Sequence, residues 1–146
     1  MNKEQLVRLI YVSVMTEACD TKALENILRV SRINNEKNNI TGMLCYDPTY
    51  FLQALEGPRE AINQLYTNIS RDMRHQYLTL LEYADIEQRT FGDWSMGFLS
   101  GNALDRELLD KYTFGSGKFN PFILNGQQVR NFLLDAVRLK HKHISH

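Results

Sequence analysis

Hydrophobic residues of the chain fall into short runs, typical of strands, and longer runs at spacings of three and four residues, typical of helices. Five short runs are rich in aliphatic, β-branched or aromatic residues, which favour strands. We predict these strands over residues 6–14, 43–47, 50–57, 77–87 and 94–100. Only Pro48 and Thr49 separate the second strand from the third, so we expect those two strands to form a hairpin.

Four helices are predicted between and after these strands. Asp20 is a suitable N-cap for the first, which the segment NNITG at 38–42 ends. Pro58 suits the first position of the second helix. Two further helices are predicted over 104–112 and 126–140, with a Gly-, Pro- and Asn-rich loop between them.

The order of elements is therefore β-α-β-β-α-β-β followed by two helices. We predict an α+β fold, with a ferredoxin-like sheet that carries two helices on one face. Residues 1–101 would form the main domain and residues 102–146 a C-terminal helical extension. The last helix carries an apolar stripe of Val129, Phe132, Leu133, Ala136 and Val137. This stripe either packs on the second sheet face, which we favour because that face would otherwise be exposed, or forms part of an interface.

Composition narrows the class of protein. The 17 basic and 17 acidic residues balance, so no strong field attracts nucleic acid or a membrane. Two cysteines and a short, interrupted apolar run at the N-terminus indicate a soluble, cytoplasmic protein. Three of the four histidines lie in the final segment HKHISH, which we interpret as a frayed terminus, and we predict no metal site.

Four neutral polar side chains fall where apolar ones are expected. Side chains alternate across a strand, so Tyr11 and Gln53 point toward the face that the first two helices cover. Asn34 and Asn35 continue the apolar face of the first helix. A buried polar group without a partner costs roughly 1–3 kcal/mol. These four must therefore satisfy one another or hold a ligand.

The chemistry of these groups limits the ligand. Amide and phenol groups both donate and accept hydrogen bonds, which suits the polar edge of a flat heterocycle lying among aliphatic residues such as Ile27 and Ile69. They do not suit a phosphate or a metal ion. The residues alone leave a second interpretation open, in which Asn34 and Asn35 are helix C-caps and Gln53 pairs with the backbone.

Five motifs in order resemble the BLUF family, sensors of blue light using flavin, from about residue 6 to residue 100. They are RLIYVS, INNEKNNITGMLCY, FLQALEGP, RDMRHQ and WSMGF. The resemblance implies a ferredoxin-like fold, in agreement with the order of elements above. It also implies a non-covalently bound flavin, with FAD the family's usual choice and FMN or riboflavin as alternatives.

The same resemblance implies roles for particular residues. Tyr11 matches the family's redox-active tyrosine, and Gln53 the glutamine between that tyrosine and the flavin. Asn35 matches the asparagine that binds the flavin's pyrimidine edge, and Asn34 adjoins it. Arg74 and His75 fall beside the flavin, although a solvated loop is the alternative for both.

Two residues of the fifth strand match the family's signal relay. Trp94 and Met96 would share one sheet face and pass the state of Gln53 outward; the alternative is that they only fill the core. Light would drive an electron and then a proton from Tyr11 toward the flavin by way of Gln53. What persists is a changed hydrogen-bond network with no net redox change. The resemblance therefore implies a switch and no enzyme, which signals to an effector protein in trans and assembles as a homo-oligomer.

Three other functions compete with this interpretation. A small ferredoxin-like enzyme would need a phosphate loop, a metal cluster or paired carboxylates, and the sequence has none of them. A nucleic-acid module would need a basic surface. A BLUF-derived interaction module that has lost its flavin is the third rival, and the presence of all the key residues weighs against it.

Overall fold

A computed structural model of the chain describes residues 5–100, 106–113 and 118–144. The strands are β1 (Leu6–Met15), β2 (Thr41–Tyr46), β3 (Tyr50–Pro58), β4 (His75–Asp85) and β5 (Gly97–Ser100). The helices are α1 (Thr21–Lys37), α2 (Arg59–Ser70), α3 (Arg106–Tyr112) and α4 (Gly126–Ile144), with a 3-10 turn at Pro121–Ile123. The predicted domain boundary between residues 101 and 102 lies outside the described residues.

The five strands form one sheet in the order β4-β1-β3-β2-β5. Strand β1 is antiparallel to both of its neighbours, and β2 is antiparallel to β3. Strand β5 joins the free edge of β2 in parallel. The predicted α+β fold is confirmed, because the first four strands follow the ferredoxin-like order and β5 extends that sheet by one strand.

Local signals set the ends of α1. The Asp20 side chain accepts a hydrogen bond from the Ala23 amide at 2.8 Å, so the predicted N-cap is confirmed. The helix ends at Lys37 with Asn38 as its C-cap, and Asn39 follows with a φ of 58°, in the left-handed region that asparagine tolerates. Pro58 is the last residue of β3 and the N-cap of α2. The helix therefore begins at Arg59, one residue later than predicted.

The sheet separates two hydrophobic clusters. The first lies beneath α1 and α2 and contains Leu9, Tyr11, Phe51, Leu55 and Ile62 among others. The second lies on the opposite face, beneath α3 and α4. It includes the whole predicted stripe: Val129, Phe132, Leu133, Ala136 and Val137. The prediction that this stripe packs on the chain's own sheet is confirmed.

The end of α4 differs from expectation. The helix continues to Ile144, so His141 and His143 belong to it instead of a frayed terminus, while His146 lies outside the described residues. No group of metal-ligating side chains occurs among the described residues. Within the same part of the chain, no helix combines the length and the apolar character needed to cross a membrane.

The fifth strand is shorter than predicted. It begins at Gly97, so Trp94 and Met96 precede it, and they do not share a face. Trp94 packs against the second cluster, and Met96 belongs to the first. The predicted common face is wrong because side chains alternate regularly only within a strand. A Cβ atom on Gly97 would lie 2.5 Å from Met43 Cε, so the lack of a side chain at Gly97 leaves room for the end of the Met43 side chain.

Candidate functional site

A cleft lies between the sheet and helices α1 and α2. It contains about 610 Å³ of space free of protein atoms, a volume that includes some open solvent at its mouth. Its lining comes from both helices, from β1 to β3, and from the residues around the start of β4. The lining residues are Tyr11, Ile27, Val30, Ser31, Asn35, Leu44, Phe51, Gln53, Leu65, Ile69, Asp72, Arg74 and His75.

Tyr11 and Gln53 are opposite each other in the β1–β3 register, which brings their side chains together on the cleft face. Both side chains are buried, and the Tyr11 hydroxyl donates a hydrogen bond to Gln53 Oε1. Burial raises the pKa of the Tyr11 phenol far above its usual range, so the phenol is protonated at neutral pH. The predicted pair is therefore adjacent, and Tyr11 is the donor in the hydrogen bond that joins them.

The other end of the Gln53 amide contacts the segment before β5. Gln53 Nε2 donates to Met96 Sδ at 3.5 Å. A thioether sulfur accepts hydrogen bonds only weakly and donates none. A continuous set of contacts thus runs from Tyr11 through Gln53 to Met96, with the amide oxygen toward Tyr11 and the amide nitrogen toward Met96.

Asn35 and Asn34 lie on different sides of α1. Asn35 is 1% exposed, lines the cleft and donates from Nδ2 to the Ser95 carbonyl at 2.9 Å. Asn34 is exposed and does not line the cleft. The prediction that both project between sheet and helices is wrong for Asn34, because its side chain, 100° around the helix from that of Asn35, falls outside the buried face.

The end of the cleft at the start of β4 carries an ion pair. The Arg74 guanidinium contacts the Asp72 carboxylate, with Nη2 and Oδ2 2.5 Å apart and Nε and Oδ1 2.9 Å apart. Hydrogen bonding from Arg74 holds the pKa of Asp72 below its usual range. Arg74 Nη1 also donates to Asn26 Oδ1 at 3.3 Å. Arg74 therefore lines the cleft in a braced position.

His75 is buried and fixed at both ring nitrogens, so the solvated-loop alternative is wrong for it. Nε2 lies 2.7 Å from the Ile69 carbonyl, to which it donates, and Nδ1 lies 2.7 Å from Ser13 Oγ. His75 contributes a rigid ring to the cleft wall.

Several lining residues escaped the sequence analysis. Leu44 pairs with Gln53 across β2 and β3, and strand alternation would have placed it on the cleft face. Val30 and Ser31 complete the α1 side of the cleft. Tyr66 of α2 does not line the cleft, but its ring centroid lies 5.7 Å from that of Tyr11.

The donors and acceptors of the cleft fit a flavin. Tyr11, Gln53 and Asn35 supply neutral groups of both kinds for the edge of a ring system, while Ile27 and Ile69 supply apolar contact for its faces. The one carboxylate of the lining, Asp72, is neutralised by Arg74. A flat, uncharged heterocycle with a polar edge matches this surface, and a free phosphate or metal ion does not.

Comparison with known proteins decides the family. The model described as "BLUF: Sensors of blue-light using FAD" matches residues 6–97, well over half of the 146-residue chain. The chain belongs to the BLUF family. Two expectations are therefore confirmed for this region: it is a flavin-binding sensor of blue light, and it is a sensor domain instead of an enzyme.

BLUF regions of much longer proteins are similar to this chain. The photoactivated adenylate cyclase subunit alpha of Euglena gracilis is 38% identical over 88 residues, covering 60% of this chain and 9% of the relative. The blue light- and temperature-regulated antirepressor BluF of Escherichia coli (strain K12) is 29% identical over 114 residues, covering 77% of this chain and 28% of the relative. The chain spans less than a third of either relative's length.

Two solved BLUF structures resemble the chain over nearly its whole length. The photo-activated state of BlsA has a TM-score of 0.79 at 31% identity, covering 90% of this chain and 94% of BlsA. The dark state of BlrB has a TM-score of 0.75 at 31% identity, covering 94% of this chain and 98% of BlrB. The similarity thus includes the C-terminal helices as well as the sheet.

Proposed function

We propose that this BLUF protein senses blue light through FAD held in the cleft, with Tyr11 and Gln53 as the photoactive pair. The observation that carries this proposal is the buried set of contacts from Tyr11 through Gln53 to Met96. It joins a proton-bearing phenol, a reorientable amide and a segment outside the cleft. Such a set suits a switch, because it has two arrangements and no group that attacks a substrate.

Tyr11 is the proposed donor. A bound flavin supplies blue-light absorption and a site that accepts one electron. The buried Tyr11 phenol is neutral, so loss of an electron makes its proton strongly acidic, and the proton leaves through the hydrogen bond to Gln53. Return of both to Tyr11 restores the phenol. The cycle therefore consumes nothing.

Gln53 is the proposed switch element. Its oxygen faces Tyr11 and its nitrogen faces Met96. If the amide rotates, its oxygen faces the Met96 sulfur, which has no proton to donate, so that contact is lost. A tautomeric change would alter the same two contacts. A change of this size is worth on the order of 1–3 kcal/mol, enough to bias a two-state element.

The segment before β5 is the proposed relay. Met96 belongs to the hydrophobic cluster on the cleft side of the sheet, and Trp94 packs against the cluster on the opposite side. A shift of this segment would therefore displace side chains in both hydrophobic clusters, one on each side of the sheet. Asn35, Ile27, Ile69, Arg74 and His75 are proposed to hold the flavin, and the exposed side chain of Asn34 makes it the weakest member of the predicted set.

The family description names FAD, which supports FAD as the flavin over FMN and riboflavin. The name of the related antirepressor BluF, which implies action on a repressor, supports output to a separate effector protein. Assembly as a homo-oligomer and location in the cytoplasm complete the proposal.

The flavin content of the purified protein tests this function. We expect one flavin per chain, released on denaturation and chromatographing as FAD, with an absorption band that blue light shifts reversibly. A protein that stays colourless after incubation with FAD, FMN and riboflavin would contradict the proposal. Release of FMN or riboflavin alone would overturn only the assignment of FAD.

A further inference from the structure

Four charged side chains form a line across the sheet face opposite the cleft. Arg130 of α4 lies 3.0 Å from Glu82 of β4, measured from Nε to Oε1. Glu82 Oε2 accepts from Arg8 Nε at 2.8 Å, and Arg8 Nη1 donates to Glu56 Oε2 at 3.0 Å. We call this line the ion chain. It runs from the C-terminal helix across β4 and β1 to β3.

Glu56 fixes the far end of the ion chain to the segment before β5. Its carboxylate is fully buried and accepts from the amides of Thr90 at 3.0 Å and Phe91 at 2.6 Å. Arg8 Nη1 also donates to Thr90 Oγ1 at 3.0 Å. A buried carboxylate with so many donors cannot give them up without a large penalty. The turn at residues 90–91 is therefore tied to the ion chain, five residues before Met96.

The Arg130 end is held less tightly. Its side chain is 33% exposed, against 16% for that of Glu82. Although Arg130 Nε is within ion-pair distance of Glu82, it has no aligned hydrogen-bond partner among the described residues. The first turn of α4 also rests on Glu82, because a Cβ atom on Gly126 would lie 3.1 Å from Glu82 Cβ. Of the contacts in the ion chain, the one between Arg130 and Glu82 is therefore the most easily broken, and we call it the joint.

We propose that the ion chain couples the segment before β5 to α4, with Arg130 as the positioning residue at the joint. The inference rests on the proposed function, in which Gln53 changes its contact with Met96. A shift of that segment pulls on the Thr90 and Phe91 amides, which the buried Glu56 retains. The displacement passes through Arg8 to Glu82, and the loose contact with Arg130 yields.

Coupling between two sites is reciprocal. If movement of the segment changes the Arg130 joint, then weakening the joint must change how fast the segment returns. The joint is formed in the arrangement described here, which we assign to the dark state because Tyr11 is in its resting contact with Gln53. Loss of the joint removes part of the driving force for return, so thermal recovery should slow.

The test compares Arg130→Gln with Arg138→Gln. Both remove one positive charge from α4, but Arg138 lies 3.7 Å from Asp135 of the same helix and is the matched control. We expect Arg130→Gln to slow dark recovery about two- to fivefold, or about 0.4–1 kcal/mol of barrier, with an unchanged dark absorption maximum. Arg138→Gln should recover at the wild-type rate. An unchanged or faster recovery in Arg130→Gln, or equal slowing in the control, would overturn the coupling.

A second variant separates coupling from a general loss of stability. In a Glu82→Gln background, Arg130→Gln should add less than about 1.3-fold to the recovery time, because its partner is already neutral. Full additivity would contradict the ion chain. The wild-type protein distinguishes the two proposals: a wild type without a light response overturns both, whereas a normal wild-type cycle with unaffected variants overturns the coupling alone.

Discussion

Tyr11→Phe should bind flavin with wild-type stoichiometry and show no light-induced shift of its absorption band. Phenylalanine keeps the ring, which packs in the first hydrophobic cluster 5.7 Å from Tyr66, but removes the hydroxyl that donates to Gln53. Without that hydroxyl there is neither a readily oxidised phenol nor a proton to follow the electron. We therefore expect the shift to fall below one-tenth of the wild-type amplitude, measured as the light-minus-dark difference at equal flavin content.

Tyr66→Phe is the matched control for this experiment. It removes a second phenol beside the first, yet Gln53 is the hydrogen-bond partner of Tyr11 and not of Tyr66. The control should retain the shift. If Tyr11→Phe cycled normally, the assignment of the donor would be wrong, and loss of the shift in Tyr66→Phe alone would move that role to Tyr66.

Asn35→Ala should weaken flavin binding about 10- to 100-fold, the equivalent of one to two hydrogen bonds in a buried site. Asn35 is 1% exposed and lines the cleft. If its amide is removed, water cannot easily take over the hydrogen bonds that the amide makes to a bound ligand. Titration of the flavin-free protein with FAD, followed by flavin fluorescence, measures the dissociation constant directly.

Asn34→Ala provides the comparison at the neighbouring position. The Asn34 side chain is exposed and lies outside the cleft. The dissociation constant of this variant for FAD should therefore equal that of the wild-type protein. Asn35 also donates to the Ser95 carbonyl, and thermal unfolding of the flavin-free variants separates this structural effect from binding. Equal affinities for Asn35→Ala and wild type would remove Asn35 from the site; a large loss in Asn34→Ala would mean that bound flavin extends over α1.

Sequence reasoning could place Tyr11 and Gln53 on the same sheet face because strand alternation is a local rule. Tyr11 and Gln53 each sit within a continuous strand, so the face of each follows from its neighbours, and register then pairs them directly. The apolar stripe of α4 was predictable for the same reason, since helical spacing is also local.

Local rules failed where the backbone leaves regular structure. Trp94 and Met96 precede β5, so strand alternation does not apply to them, and they pack with the clusters on opposite sides of the sheet. Asn34 and Asn35 were both predicted to lie on the buried face of α1, but that face ends between them, and only Asn35 is buried.

The ion chain could not be predicted from local patterns. Arg8 is 48 residues from Glu56 and 74 residues from Glu82 in the sequence, and each of these residues alone is typical of an exposed strand position. Only the sheet order, with β1 between β4 and β3, brings the three together. Long-range pairing of this kind depends on the completed fold.

Repeated light–dark cycles of the flavin-loaded wild-type protein, followed by visible absorption without any added reductant, test the central claim most directly. A switch based on Tyr11 and Gln53 predicts a small shift of the band to longer wavelengths that returns completely in the dark, cycle after cycle, with the flavin still oxidised. A band that does not move, or one that bleaches through net reduction of the flavin, would contradict the account.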